Sequence, residues 1–443
     1  MKRRRRAPKP RFAFKTAENA ARQSLKRFRL FPLPTEKIGY DAFMTVPHLT
    51  TVLSGSPSAL EQRMTQTAPA VERRFRSEWM DASPPLFAAV DVHYAGYKLA
   101  AVRVDLFPAQ WRKLSPDVLP QTVLAAQATL EKFCPEAKRL LIIVPDHPSP
   151  DDLPNLQQLR RIFTLAGMDV RFGTATSDRA AVYGDISVEP VQRERRRLVL
   201  RSFDPCTVLL SADVAGAAHG LLDELPDQTL WPPPHASRRR FRLSVFAKAY
   251  EKAAKQLGKV LAVDPWLLHP TSRACPPQSD FAALRETVHD VLLQLRRRQR
   301  EYGLTQRPGV RLLTDIGGAP LLPAPIYNAA QLSAEEIPAD ALLDGVQVIE
   351  DVPTVESLQD TPVAPQVYML DRYVVGGFYR PTVATPDDAP FQALTLQNPL
   401  PQHAGEEPNR FYMYGVIARL AVLAVSHALE ITDPRMICDG SCS

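Results

Sequence analysis

Apolar positions along the chain change period several times, and each change marks an element. FAAVDV (Phe87 to Val92) and YKLAAVRV (Tyr97 to Val104) read as short strands on either side of a turn at Gly96. PQTVLAAQATLEKF (Pro120 to Phe133) repeats apolar residues at i, i+3 and i+4, opens on Pro and stops at Cys134-Pro135, which predicts a helix. RLLIIVP (Arg139 to Pro145) is unbroken apolar, as a strand buried on both faces would be. LQQLRRIFTLAG (Leu156 to Gly167) is an amphipathic helix ending in glycine, with the strand DVRFG after it. The alternation predicts an α/β fold whose N-terminal half carries a mostly parallel sheet.

Residues 175–195 read as a variable loop or hairpin, and RRLVLRSF and TVLLSADV as two more strands. LWPPPHASRRRFR (Leu230 to Arg242) is a candidate boundary. Two helices follow, VFAKAYEKAAKQLG (Val245 to Gly258) and FAALRETVHDVLLQLRRRQREYG (Phe281 to Gly303), the second with a basic end that suits the helix dipole. In the last third, VRLLTD, VQVIED, QVYML and YVVGGFYR alternate as antiparallel strands, and NRFYMYGVIARLAVLAVSHALE (Asn409 to Glu430) is a long covering helix. The domain reading is an arm over 1–40, an α/β domain over 41–230, a second α+β domain over 231–432 and a tail over 433–443.

Charge divides the chain differently. Residues 1–31 hold twelve Lys or Arg against Glu18 alone, so this +11 arm leaves −5 of the net +6 for the rest. The arm reads as solvated and disordered; phosphate attraction, to nucleic acid or a membrane surface, and a transit peptide are the alternatives. No apolar stretch follows it as in a secretory signal. The helix from Phe411 carries Arg419 at mid-span, which would cost about 2.5 kcal/mol or more in a bilayer, so it reads as a buried soluble helix. Five scattered cysteines suit a reducing cytoplasm, and the Cys438/Cys442 pair has no further ligand nearby.

APQVYMLDRYVVGGFYR (Ala364 to Arg380) and NRFYMYGVIARL (Asn409 to Leu420) resemble the proteobacterial glutamate–cysteine ligase family. Fainter likeness runs collinearly over 80–432, through AGYKLA, DLFP, IFTLAGMDVRFG, FDPC and DPWLLHP. The resemblance implies an ATP-grasp-like C-terminal half, with ATP and Mg²⁺ as cofactors. It implies that glutamate's γ-carboxyl is joined to the amine of cysteine as ATP becomes ADP and phosphate. Such phosphoryl transfer needs cations around the β- and γ-phosphates.

Against that pattern the chain departs in places. Where the family has a strand Lys followed by three loop glycines, this chain has LLTDIGGAPLL (Leu312 to Leu322): Leu313 stands at the Lys position, and Pro320 and Leu322 replace later glycines. Asp315, Gly317 and Gly318 remain as candidate nucleotide contacts, with Glu350 for the base or ribose. Arg380, and Arg311 on the strand face of Leu313, are the candidate catalytic cations. Asp91, Lys98 and His147 are the candidate substrate contacts, for an amino group, a carboxyl and a polar loop. Asp387 and Asp388 suit a turn better than Mg²⁺, and no metal ligand set is identified. Two functions follow, an ATP-dependent ligase or a degenerate paralogue that binds or regulates; a changed substrate is a variant of the first. Leu313, Glu350 and Arg380 are expected in one cleft, and Val375 and Ile417 in one core.

Overall fold

A computed structural model of the chain describes residues 59–433 apart from 108–109, 134–137, 146, 151, 215–219, 223–224, 226, 238–239, 359–360, 383–391 and 395–410. The basic arm, Cys134, Asp387, Asp388 and the Cys438/Cys442 pair lie outside the described residues. Two helices come first, α1 (Ala59–Gln66) and α2 (Ala68–Asp81), and α2 buries Val71, Phe75 and Trp79 at helical spacing. The hairpin β1 (Phe87–Tyr94) and β2 (Leu99–Asp105) follows. It turns at Gly96, whose φ of +84° lies in the left-handed region that glycine enters without a side-chain clash.

Next come α3 (Leu119–Phe133), β3 (Arg139–Val144), α4 (Asp152–Leu165) and β4 (Asp169–Thr174). Four short strands succeed them: β5 (Ala181–Tyr183), β6 (Ile186–Pro190), β7 (Gln192–Glu194) and β8 (Arg197–Val199). With β9 (Thr207–Leu210) and β10 (Thr229–Trp231) they complete a sheet of order β10-β9-β3-β4-β6-β5, parallel except for β5; β7 and β8 form a separate ribbon. The apolar run in β3 is explained by its central place. Leu140, Ile142 and Val144 enter one core and Leu141 and Ile143 the other, so both faces are dry.

The second half begins with α5 (Leu243–Leu261), β11 (Ser272–Cys275), α6 (Phe281–Glu301) and β12 (Val310–Thr314). After α7 (Ala339–Asp344) and β13 (Val346–Glu350), the order β11-β13-β12 makes a three-stranded antiparallel sheet. Leu284, Val288, Val291 and Leu295 of α6 pack on Val310, Leu312, Val346 and Val348, a core of its own. Then follow β14 (Ser357–Leu358), β15 (Thr361–Leu370), β16 (Tyr373–Pro381), β17 (Gln392–Leu394) and α8 (Phe411–Thr432).

The first hairpin does not join the parallel sheet. It extends the antiparallel one, in the order β17-β16-β15-β1-β2, with Phe87 opposite Leu370 and Asp91 opposite Gln366. The boundary expected near 230 thus separates stretches of chain but not sheets. The reason is burial: Val90, Val92 and Tyr94 on one face of β1 need α8, which a lone hairpin cannot supply. As expected, the strand of Tyr373 to Arg380 pairs antiparallel, and Val375 and Ile417 share one core.

Helix α8 is apolar almost all round because α2 and α5 cover one side and the sheet the other. Its mid-span charge, Arg419, is only 4% exposed and forks onto Glu72 of α2 at 2.7 and 2.8 Å, with Phe75 beneath the guanidinium. Removing one member of such a pair leaves a bare buried charge, a cost of about 3–5 kcal/mol. Glu72→Leu should therefore lower the urea-unfolding free energy by about that much, and Glu72→Leu with Arg419→Met should recover most of it. A double variant no more stable than the single one would contradict this account.

Candidate functional site

Side chains on a strand alternate, so Asp91 and His93 share one face of β1 while Val90 and Val92 face α8. Cross-strand partners share that face: Gln366 lies opposite Asp91, and Arg380 two residues beyond Gln366's own partner Phe378. The result is a polar corner. Gln366 donates to Asp91 Oδ1 at 2.7 Å and Arg380 Nη2 to Oδ2 at 2.5 Å, so both carboxylate oxygens are engaged. Tyr368 donates in turn to Gln366 Oε1 at 3.3 Å. Two sequence-predicted residues, Asp91 and Arg380, are thereby brought into direct contact.

The segment after β13 closes the corner. His93 Nδ1 is 2.6 Å from the Val352 carbonyl, and the Val355 N–H donates to the Tyr94 carbonyl at 2.8 Å. Arg311 of β12 donates through Nε to Asp351 Oδ1 at 2.6 Å. The charges of Asp91, Asp351 and Arg311 all reach the His93 ring. Arg311, a candidate catalytic cation from the sequence, is thus paired with Asp351, next to the Val352 whose carbonyl holds His93. His93 was not among the sequence-predicted residues, although its two-residue spacing from Asp91 put it on the same strand face.

Glu350 points elsewhere. In β13 it shares a face with Val346 and Val348, whereas Leu313 pairs with Gln347 on the opposite face. One cleft lined by Leu313, Glu350 and Arg380 is therefore not what the register produces. Glu350 instead meets Lys98 of the first hairpin: Nζ lies 2.6 Å from Oε2, and the Thr271 N–H donates to the same oxygen at 2.8 Å. Lys98 is fully buried, with the Trp266 ring 4.2 Å from its ammonium. Burial pulls its pKa down and Glu350 opposes that pull. Neither residue offers a free charge to a ligand, so Lys98 does not stand as a waiting anchor for a carboxyl.

The loop after β12 is also committed. Asp315 is 4% exposed and caps α5: Oδ1 accepts from the Ser244 N–H at 2.7 Å and Oδ2 from the Ser244 hydroxyl at 3.0 Å. Gly317 and Gly318 take φ of +81° and +67° to turn the chain back on β12, and Leu243 would crowd a Cβ at Gly318 at 3.2 Å. The N–H groups of Asp315 and Gly317 donate to the carbonyls of Gly345 and Phe241, and that of Ala319 to the Thr314 hydroxyl. Pro320 falls between Ala319 and Leu321, which carry the ladder bonds to Thr314 and Leu312, so its missing N–H costs nothing there. This loop is a closed hairpin, not a row of open donors. His147 is exposed, with Nδ1 3.4 Å from the Tyr183 hydroxyl on β5, and bonds to no other candidate residue.

Among the described residues no three His, Cys, Asp or Glu converge as a metal cage. Both oxygens of Asp91 are bonded, and Glu350 and Asp351 are each paired with a cation. These residues do not fit a resident Mg²⁺, which usually keeps waters and phosphate oxygens as most of its ligands.

The profile of the glutamate–cysteine ligase family matches residues 61–429. A crystal structure named "Putative gamma-glutamylcysteine synthetase", from Methylobacillus flagellatus KT, is similar at 36% identity with a TM-score of 0.74. The likeness covers 87% of this chain and 99% of that one. No curated protein matches.

The corner has a pH signature. Burial holds His93 below its ordinary 6.5, while the Val352 carbonyl and the carboxylates of Asp91 and Asp351 pull it back up only in part; away from the corner, His269 beside Tyr250 is held down by burial and by Lys98. Below 6.5 the unfolded chain takes up protons that these folded rings refuse. Stability should thus fall as pH drops from 6.5 toward the folded pKa values, and be insensitive to these rings above it. Urea unfolding across that range measures the slope, which His93→Asn should make shallower.

Proposed function

The chain belongs to the glutamate–cysteine ligase family, and from that premise we propose that it joins the γ-carboxyl of glutamate to the amine of cysteine in the cytoplasm, cleaving ATP to ADP and phosphate. The observation that carries this reading is a pair of cation–carboxylate contacts, Arg380 with Asp91 and Arg311 with Asp351, on either side of His93, which shares a strand face with Asp91 and bonds the Val352 carbonyl beside Asp351. That layout supports an ATP-grasp-like site with the nucleotide between the sheets.

Arg380 and Arg311 are the cations for the phosphates. A carboxylate is a poor electrophile, so glutamate is first phosphorylated, and guanidinium groups fixed beside the moving charge lower that barrier. Each Arg is held by its carboxylate partner, which spares part of the ordering cost when the ligand arrives. In this reading Asp315, Gly317 and Gly318 shape the loop, and Lys98 and Glu350 hold the sheets. Nucleotide, glutamate and cysteine are the partners of the site; a nucleic-acid partner is left to the N-terminal arm, and α8 is a core helix instead of a membrane anchor.

A second reading, a family member that has lost turnover and serves as a binding or regulatory protein, is favoured by one specific observation. The loop that would cradle phosphates has committed the amides of Asp315, Gly317 and Ala319 within the protein, and the family resemblance implies a lysine where Leu313 stands. The two readings separate in one assay. With ATP, Mg²⁺, glutamate and cysteine, the ligase must form ADP and γ-glutamylcysteine in equal amounts; a folded protein that forms neither has lost the reaction. Calorimetric titration with Mg·ATP should give binding tighter than about 1 mM, near −4 kcal/mol, and Arg380→Ala should weaken it about tenfold or more. Undiminished affinity in that variant would remove Arg380 from the phosphate site.

A further inference from the structure

His93 has no use in the packing of the core that its neighbours Val92 and Tyr94 serve, and its surroundings define its chemistry. The Val352 carbonyl can only accept a hydrogen bond, so Nδ1 carries the proton and Nε2 carries the lone pair. Nε2 has no partner among the described residues, and the ring lies on the strand face of Asp91 and Arg380. The charged groups around it are Asp91 on its own strand, Asp351 on the segment after β13 and Arg311 on β12. The carbonyl that holds it belongs to a segment pinned to β1 by the Val355 bond, so the ring's orientation is fixed by backbone and not by a mobile side chain.

We propose that His93 is the general base for the acceptor amine, taking the proton released when the amide bond forms. This rests on the ligase reading above. The amine, already in its free-base form, attacks the carbonyl carbon of the glutamyl phosphate. The new C–N bond forms, one N–H proton passes to Nε2 of the neutral imidazole, and the C–O bond to phosphate breaks with the electron pair leaving on phosphate. The imidazolium then returns its proton to solvent. A fixed tautomer, an open lone pair, and carboxylates at hand to steady the imidazolium once it forms all suit a base in this position. The depressed pKa keeps the ring neutral and ready at physiological pH.

His93→Asn is the informative variant, because its amide N–H can still donate to the Val352 carbonyl while no basic nitrogen remains. Two acceptors are compared under the same conditions: cysteine, and hydroxylamine, which is largely unprotonated near neutral pH and nucleophilic without a base. The ratio of dipeptide to γ-glutamyl hydroxamate should fall about 100-fold or more in the variant. An unchanged ratio would overturn the proposal, whether total turnover fell or not. The wild-type protein supplies a second measure that does not depend on the variant folding. Protonation of the amine alone gives a log-rate slope of about one toward low pH, and a required neutral His93 adds a second unit below its own pKa. A slope that stays near one across that range would sink the assignment, whereas failure of the wild type with both acceptors would instead remove the ligase reading beneath it.

Discussion

The buried bond between Lys98 and Glu350 is the constraint on which the rest of the site depends. It spans 252 residues and ties the first hairpin to β13, the central strand of the three-stranded sheet. Two charges withdrawn from water cost several kcal/mol each, and attraction alone rarely recovers that. Here the remaining needs are met locally. The Thr271 N–H donates to the same carboxylate oxygen, the Glu350 N–H donates to the Thr271 carbonyl, and Trp266 lies against the ammonium. Trp266 is itself fixed by its indole N–H on Thr271 and by stacking between Tyr97 and Tyr302. Lysine with glutamate is therefore a geometric clamp: it sets where β13 ends relative to β2.

Everything downstream inherits that position. Residues 351–355 leave β13 from the clamped point and run beside β1, where Val352 accepts from His93 and Val355 donates to Tyr94. Asp351, the next residue after Glu350, is placed to hold Arg311. Asp91, two residues before His93, holds Arg380. If the clamp slackened, the two sheets would slide, and the distance between the two guanidinium groups would change with them. The Arg419–Glu72 fork acts in the same way on the far side of the sheet, where it fixes α8 against α2. Both buried pairs serve register between elements more than raw stability.

How much of this could be read from sequence depends on the range of the interaction. The unbroken apolar run of Arg139 to Val144 announced a strand covered on both faces, because that information is local. The closing helix was legible for the same reason, and so was the awkwardness of Arg419 inside it. The partner was not: Glu72 lies 347 residues away. The first hairpin showed its alternation but not its sheet, since a period of two says which side is wet and nothing about which strand lies alongside. Asp91 and Lys98 looked like free substrate anchors because their partners, Arg380 and Glu350, are likewise far along the chain. Asp315 and the two glycines after it matched a nucleotide loop; what the sequence could not reveal was that Ser244 would claim the carboxylate for a helix cap.

The charge balance at the corner follows from these pairings and limits what can bind there. Arg311 with Asp351 and Arg380 with Asp91 give two cations and two carboxylates, and His93 is neutral above its depressed pKa. The net field on an approaching polyanion is therefore small, in contrast to a site built from unpaired lysines. A triphosphate bringing its own divalent cation approaches with its charge already reduced, so it loses less by this balance than a bare triphosphate would. Each paired guanidinium group has more N–H donors than the one facing its carboxylate, and in the ligase reading proposed above these would bond phosphate oxygens without breaking either pair. A site of this kind selects by hydrogen-bond geometry more than by long-range attraction, and its donors owe their positions to the clamp between β2 and β13.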